Sequence, residues 1–265
     1  FRNGPLRHKY DSIKYVVRKL EDTIFEISLQ PGVGAVPDDS KAIEESDSSI
    51  PESELIIKMA DFEKIRSEME AYDAKREDVI KKCRDMQKSS KNSIYDLHRG
   101  NLERAKTQLD QVLESTKELL PMIEENKGLR SGSFSNVMEE YAEGILFYFF
   151  LQEKRVLSLE EMSPVNAHEF MGGILDLTGE IGRFAVASAT KRDLEAVQMC
   201  QETVDRIVGQ VLVLNGLPGN VHKKIDQAKI TLRKLDNILY ELSLARKSSA
   251  VEEGGGEAAK GTEES

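Results

Sequence analysis

Four carboxylates stand inside two of the most apolar stretches of this chain: Glu140 and Glu143 in VMEEYAEGILFYFFL, and Asp176 and Glu180 in FMGGILDLTGEIGRFAV. Moving an ionised group from water into a low-dielectric surround costs several kcal/mol unless it is paired, hydrogen-bonded or bound to a metal. Both stretches are long and free of internal proline, which predicts helices, and spacings of three and four residues put each pair on one helical face. Two facing pairs would suit a hard divalent cation, because Mg²⁺ takes oxygen ligands and is held by carboxylates beside substrate phosphates. Such a cation would activate water and stabilise the leaving oxygen in phosphodiester hydrolysis. Glu169, seven residues before Asp176, falls on nearly the same face. Any one of these acids is explained as well by a Lys or Arg partner at a surface or subunit interface; their pairing in two apolar helices favours a site. Di-iron bundles use Glu-x-x-His motifs, and none of His8, His98, His168 or His222 supplies one. A phosphate-binding loop and a nucleophile elbow are also missing from the sequence.

A second group is cationic. Lys81, Arg84, Lys88, Lys91, Tyr95 and His98 recur at spacings of three and four and form one stripe of a long predicted helix. A basic stripe ending in an aromatic ring and a histidine can track a phosphate backbone and offer a base a stacking surface. The alternative is a solvated helix face. Ile80, Cys83, Ile94 and Leu97 make the adjacent strip that faces a core in either case.

The elements that must carry these residues are all helical: strong helix formers dominate and no alternating strand pattern persists. Helices are expected over residues 54–99, 101–120, 135–155, 158–162, 167–189, 191–214 and 221–246. Gly100 marks the first break and Pro121 the second. Six or seven helices of this length predict an all-α, antiparallel bundle. Gly172, Gly173, Gly179 and Gly182 weaken their helix by up to about 1 kcal/mol each relative to Ala, a cost that close helix approach would offset.

The chain has 265 residues, 39% hydrophobic and 32% charged, enough to bury a substantial core. Its net charge of -10 comes from two margins. Residues 31–54 carry seven acids against Lys41, and 248–265 carry five against Lys260, so minus six and minus four account for the whole. The remainder is formally neutral and can set cations on one surface and carboxylates on another, so net charge does not exclude RNA. Residues 30–54 read as an acidic disordered linker and 248–265 as an acidic disordered tail, leaving 55–247 as the helical domain. Solubility is the plain role for both margins. Cys83 and Cys200 are too far apart for a disulfide framework or a zinc site and read as buried thiols. No apolar run is long enough for a membrane span and the start has no signal-peptide core, so an intracellular, soluble protein with no membrane partner is expected.

Residues 6–29 align without gaps on 221–244, with Lys9 matching Lys224, Asp11 matching Asp226, and Arg18-Lys19-Leu20 matching Arg233-Lys234-Leu235. Residues 1–29 are therefore expected to be the last helix of a preceding copy of the same domain, in agreement with the absent initiator Met.

EEYAEG at 139–144 and DLTGEIGRF at 176–184 resemble the translin family, and within it the translin-associated factor X branch more than translin. YDAKREDVIKKCRDMQKSSKNSIYDLHR at 72–99 and IDQAKITLRKLDNILYEL at 225–242 support the resemblance, which covers about 55–247. The opening LRHKYDSIKY is closer to the end of translin itself, which makes a tandem fusion the expectation. The resemblance implies a helical bundle that assembles with translin-like subunits into a hollow shell of about eight, binding single-stranded RNA or single-stranded DNA in cytoplasm and nucleus. It implies a metal-dependent endoribonuclease using Mg²⁺, or Mn²⁺ in its place, with Glu140, Glu143, Asp176 and Glu180 as both catalytic residues and metal ligands. A non-catalytic scaffold subunit that needs a translin partner is the alternative it leaves open. Lys81, Arg84, Lys88, Lys91 and His98 are the nucleic-acid-binding candidates. Ala142, Gly144 and the run His168-Glu169-Phe170 depart from the family pattern, which touches the shape of the site more than its ligands.

Overall fold

The computed structural model describes residues 5–28, 58–217 and 219–256. Seven α-helices run through them: α1 (Pro5–Ser28), α2 (Met59–His98), α3 (Leu102–Glu125), α4 (Ser133–Glu153), α5 (Ala167–Thr190), α6 (Leu194–Leu212) and α7 (Gly219–Gly256). Two short 3-10 turns, Lys127–Arg130 and Glu160–Met162, complete the set, and no strand occurs among the described residues. The all-α expectation holds. The expected linker at 30–54 lies outside the described residues. The chain divides into two units, Phe1–Arg66 and Ser67–Ser265. In the first, α1 is an amphipathic helix with Ile13, Val17, Leu20 and Ile24 on one side.

The second unit is built around α4. Phe134, Met138, Leu146, Phe147 and Phe150 of this helix are fully buried, and so are Leu177 and Ile181 of α5. Glycine sets the spacing at both of its main crossings. A Cβ at Gly173 would come within 2.5 Å of the Ala142 methyl and 3.0 Å of the Glu143 backbone nitrogen, so α5 packs against α4 almost backbone to backbone. At Gly144 the neighbours are Leu109 of α3 and Ser93 of α2, at 3.0 and 3.1 Å. Ala142 and Gly144, the two departures in the first acidic block, are thus positions of close approach between neighbouring helices.

Helices joined by short turns are antiparallel, as expected. Lys75 meets Glu125 and Lys82 meets Glu118 between α2 and α3, and Gln201 meets Asp236 between α6 and α7. The connection at 154–166 differs. It returns the chain along the length of the bundle, so α4 and α5 run parallel: Gly172 lies against Glu139, and eleven or twelve residues on, Phe184 meets Phe150 edge-on at 6.3 Å. α2 is parallel to α4 (Gln87 to Glu140, His98 to Phe147) and α7 to α5 (Lys224 to Asp176, Gly182 against Thr231). Four parallel helices therefore present corresponding levels to one another, and the acids share one level.

Three boundaries move. Pro121 does not end α3, which continues to Glu125. The proline removes one backbone donor near the helix end, while Leu119 and Ile123 on either side of it are buried and hold the last turn in place. α6 begins at Leu194, where the Asp193 side chain accepts from the Ala196 amide at 3.0 Å. α7 runs past Arg246 to Gly256, into the stretch read as tail; Ala250 to Glu253 are compatible with continued helix. Among the described residues no helix is long and apolar enough to cross a membrane.

Candidate functional site: a carboxylate cluster between four helices

α4 contributes Glu139, Glu140 and Glu143 to the cluster, and α5 contributes Asp176 and Glu180. α2 faces them with Gln87, Lys91 and His98, and α7 with Lys224. Gln87 Nε2 donates to Glu140 Oε1 at 2.9 Å, and Lys91 Nζ lies 3.4 Å from the same oxygen. The other oxygen, Glu140 Oε2, is buried without a hydrogen-bond partner among the described residues. His98 bonds to Glu180 and its ring packs on Phe147 with centroids 4.8 Å apart. Lys224 Nζ lies 2.6 Å from Asp176 Oδ2 and 2.7 Å from Glu139 Oε2.

Glu143 is the least compensated of the group. Burial, then the charges of Asp176, Glu180 and Glu140, push its carboxyl up to about 8, with Lys224 opposing the shift. Burial also raises Asp176 against the hydrogen bond from Lys224. Burial disfavours the charge on Lys224 too, but its hydrogen bonds to Asp176 and Glu139 outweigh that, so the ammonium is held above its ordinary value. The quartet expected from sequence is thus electrically one group, and groups shifted this way mark sites of chemistry more often than ordinary surface.

Among the described residues no group of three or more acids, histidines or cysteines stands ready to hold an ion; Lys224 and His98 already hold Asp176 and Glu180. The donor set nevertheless fits a hard cation, being all carboxylate oxygen, with one buried unpartnered oxygen at Glu140 and a destabilised charge at Glu143. Glu169 does not belong to the cluster. It is fully buried and receives Arg130 Nε at 3.0 Å and Nη2 at 2.6 Å. It also closes a capping box with Asn166 at the start of α5. Its place in the His168-Glu169-Phe170 run is structural.

The cationic stripe is split. Lys91 and His98 turn into the carboxylates, and Lys81 pairs loosely with Asp78 at 3.7 Å. Arg84 and Lys88 are exposed without an ion pair among the described residues. Tyr95 is exposed with the Arg99 guanidinium 4.4 Å over its ring. Cys83 and Cys200 are buried, and burial pushes their thiols up to about 11 and about 12, so they are inert as expected.

Glu139, Gln87 and Lys224 were not singled out from sequence. A signal existed for Glu139, which precedes Glu143 by four residues and so shares its face. For Lys224 the only signal was its match to Lys9 in the repeat.

The sequence profile of the translin family matches residues 74–246. The chain is 24% identical over 230 residues to translin-associated protein X of Mus musculus, covering 70% of this chain and 78% of that protein. It is 27% identical over 185 residues to a translin-associated protein X homolog of Schizosaccharomyces pombe, covering 63% and 80%. Its fold is similar to that of AfC3PO in a complex with duplex RNA, with a TM-score of 0.64 at 22% identity over 70% of this chain and 97% of that one. It is similar also to apo-NeC3PO, with a TM-score of 0.62 at 20% identity over 68% and 96%. With the profile spanning the bundle from α2 to α7, including every member of the carboxylate cluster, the chain belongs to the translin family.

Proposed function

We propose that this chain is an RNA-binding subunit of a translin-like assembly whose carboxylate cluster makes it a metal-dependent endoribonuclease. The observation that carries the reading is Glu143, half-buried beside three other acids and pushed up to about 8, with an unpartnered oxygen of Glu140 next to it. A half-buried cluster of hard oxygen donors in which one carboxyl resists ionisation suits a cation that can replace its proton. Glu140, Glu143, Asp176 and Glu180 would hold one or two Mg²⁺, or Mn²⁺ in their place. The bound cation supplies the charge that activates water and stabilises the leaving oxygen of a phosphodiester. Lys91, 3.4 Å from Glu140, is placed to steady a substrate phosphate, with Arg84 and Lys88 continuing outward along the exposed face of α2. His98 and Gln87 orient Glu180 and Glu140 from behind.

One observation favours the scaffold reading: Asp176 and Glu180 already have a cation or a histidine, as they would in a site used only for structure. Such a subunit would bind nucleic acid and rely on a translin partner for cleavage.

The deciding assay incubates fluorescent single-stranded RNA with the purified protein in Mg²⁺ and in EDTA, with duplex RNA and single-stranded DNA alongside. The enzyme reading expects cleavage with metal only, abolished in Glu143→Gln and Asp176→Asn while RNA binding and assembly persist. Cleavage that appears only after a translin subunit is added selects the scaffold reading. Unchanged cleavage by the double variant removes the quartet from the mechanism.

A further inference from the structure

We propose that Lys224 is a tethered counter-cation of the carboxylate site: it holds Asp176 while no divalent cation is bound and gives it up when one binds. This rests on the reading of the quartet as a metal-dependent site. The ammonium lies 2.6 Å from Asp176 Oδ2, 2.7 Å from Glu139 Oε2 and 3.5 Å from the Gly172 carbonyl oxygen. It comes from α7, whereas the acids come from α4 and α5, so a single side chain ties three helices together across the cluster. The tie exists because Gly172 has no side chain; a Cβ there would overlap the Glu139 carboxylate.

An ammonium and a divalent cation repel each other and compete for the same carboxylate. Release needs somewhere for the ammonium to go, and a cleft of about 280 Å³ opens on that side of α5. Thr178, Gln227 and Thr231 line it together with Asp176 and Lys224, and Gly179 leaves its floor open. A lysine has four methylene groups and can swing between the two positions without moving its helix. Lys223 also lines this cleft, so Lys229, on the same helix and outside the lining, provides the internal comparison.

The test has two arms on the full chain. In the first, Mn²⁺ is titrated calorimetrically onto wild type, Lys224→Met, Lys224→Gln and the control Lys229→Met. Both Lys224 variants are expected to bind about tenfold tighter, the loss of one charge-assisted competitor, with the control close to wild type. In the second, wild-type protein is acylated at its amines with and without Mg²⁺ and read by mass spectrometry. Lys224 labelling is expected to rise severalfold with Mg²⁺ while Lys229 stays constant, a result that does not depend on how the variants fold. Equal or weaker Mn²⁺ affinity in the Lys224 variants, or unchanged labelling of Lys224, overturns the role given to this lysine alone. Absence of Mn²⁺ binding by every protein overturns it together with the metal reading.

Discussion

Glu143 gains nothing from being ionised in the folded protein, and this fixes the sign of its contribution to stability. Its carboxyl has an ordinary value of 4.5 and is pushed up to about 8 by burial and by its three acidic neighbours. Between those values the folded state keeps a proton that the unfolded state has lost, so stability falls as pH rises, by about 1.4 kcal/mol per unit at most, and levels off above the upper value. Asp176, raised by burial, adds in the same direction. Thermal unfolding of Glu143→Gln should therefore match wild type near pH 5 and exceed it at pH 8; a parallel pH profile for the two proteins would contradict the shift. Glu169 differs in having a direct partner, Arg130, which reaches it through two hydrogen bonds. Replacing Arg130 by Met leaves that buried charge with no counter-charge, only the Asn166 amide, and is expected to cost about 3–5 kcal/mol in urea unfolding. Glu169→Gln should cost less, because Arg130 still reaches solvent. These two acids looked alike in sequence, both carboxylates on apolar helices. The difference lies in which residue of another helix stands opposite, and neither Arg130 nor Lys224 is near its partner in the chain.

At the level of helices, sequence periodicity located every element from α2 to α7, with each end except the last of α7, ten residues farther on, within five residues, because each has an apolar face that must be buried. What periodicity lacks is direction. Short turns force antiparallel neighbours, but the 154–166 connection is long enough to cross the bundle, and only packing shows that α4 and α5 run parallel. That choice matters to the site, for an antiparallel α5 would carry Asp176 and Glu180 away from Glu140 and Glu143. The glycines of α5 separate by the same criterion. Gly173 faces the Ala142 methyl and the α4 backbone, whereas a Cβ at Gly179 would meet nothing within 4 Å. Gly173→Ala is expected to lose about 1–3 kcal/mol through overpacking. Gly179→Ala is expected to be neutral or to gain up to about 1 kcal/mol from helix propensity. Urea midpoints of the two variants check both; equal effects would mean that the α4–α5 spacing is not set by Gly173.

For the molecule as a whole, charge is distributed as the sequence arithmetic requires. All of the -10 resides in 31–54 and 248–265, and the rest is formally neutral, with five of its acids gathered in the cluster and cations such as Arg84 and Lys88 left exposed. A neutral body with an exposed basic face can bind a polyanion, while margins of net negative charge repel the same polyanion at a distance. Neutralising the twelve acids of those margins to Asn and Gln would change the net charge from -10 to +2, with Glu252 and Glu253 at the end of α7 the two that lie in a described helix. RNA affinity measured by fluorescence anisotropy should then rise severalfold at low salt. The advantage should shrink as salt is added, since exposed charges farther apart than about 10 Å are largely screened at 0.1 M. The phosphate contacts proposed for Lys91 and its neighbours on α2 would persist in both proteins, and their own salt dependence would report how many phosphates they meet. An affinity gain that survives high salt would instead mean that the margins occupy the binding face directly, and an unchanged affinity would place the RNA beyond the reach of their charge.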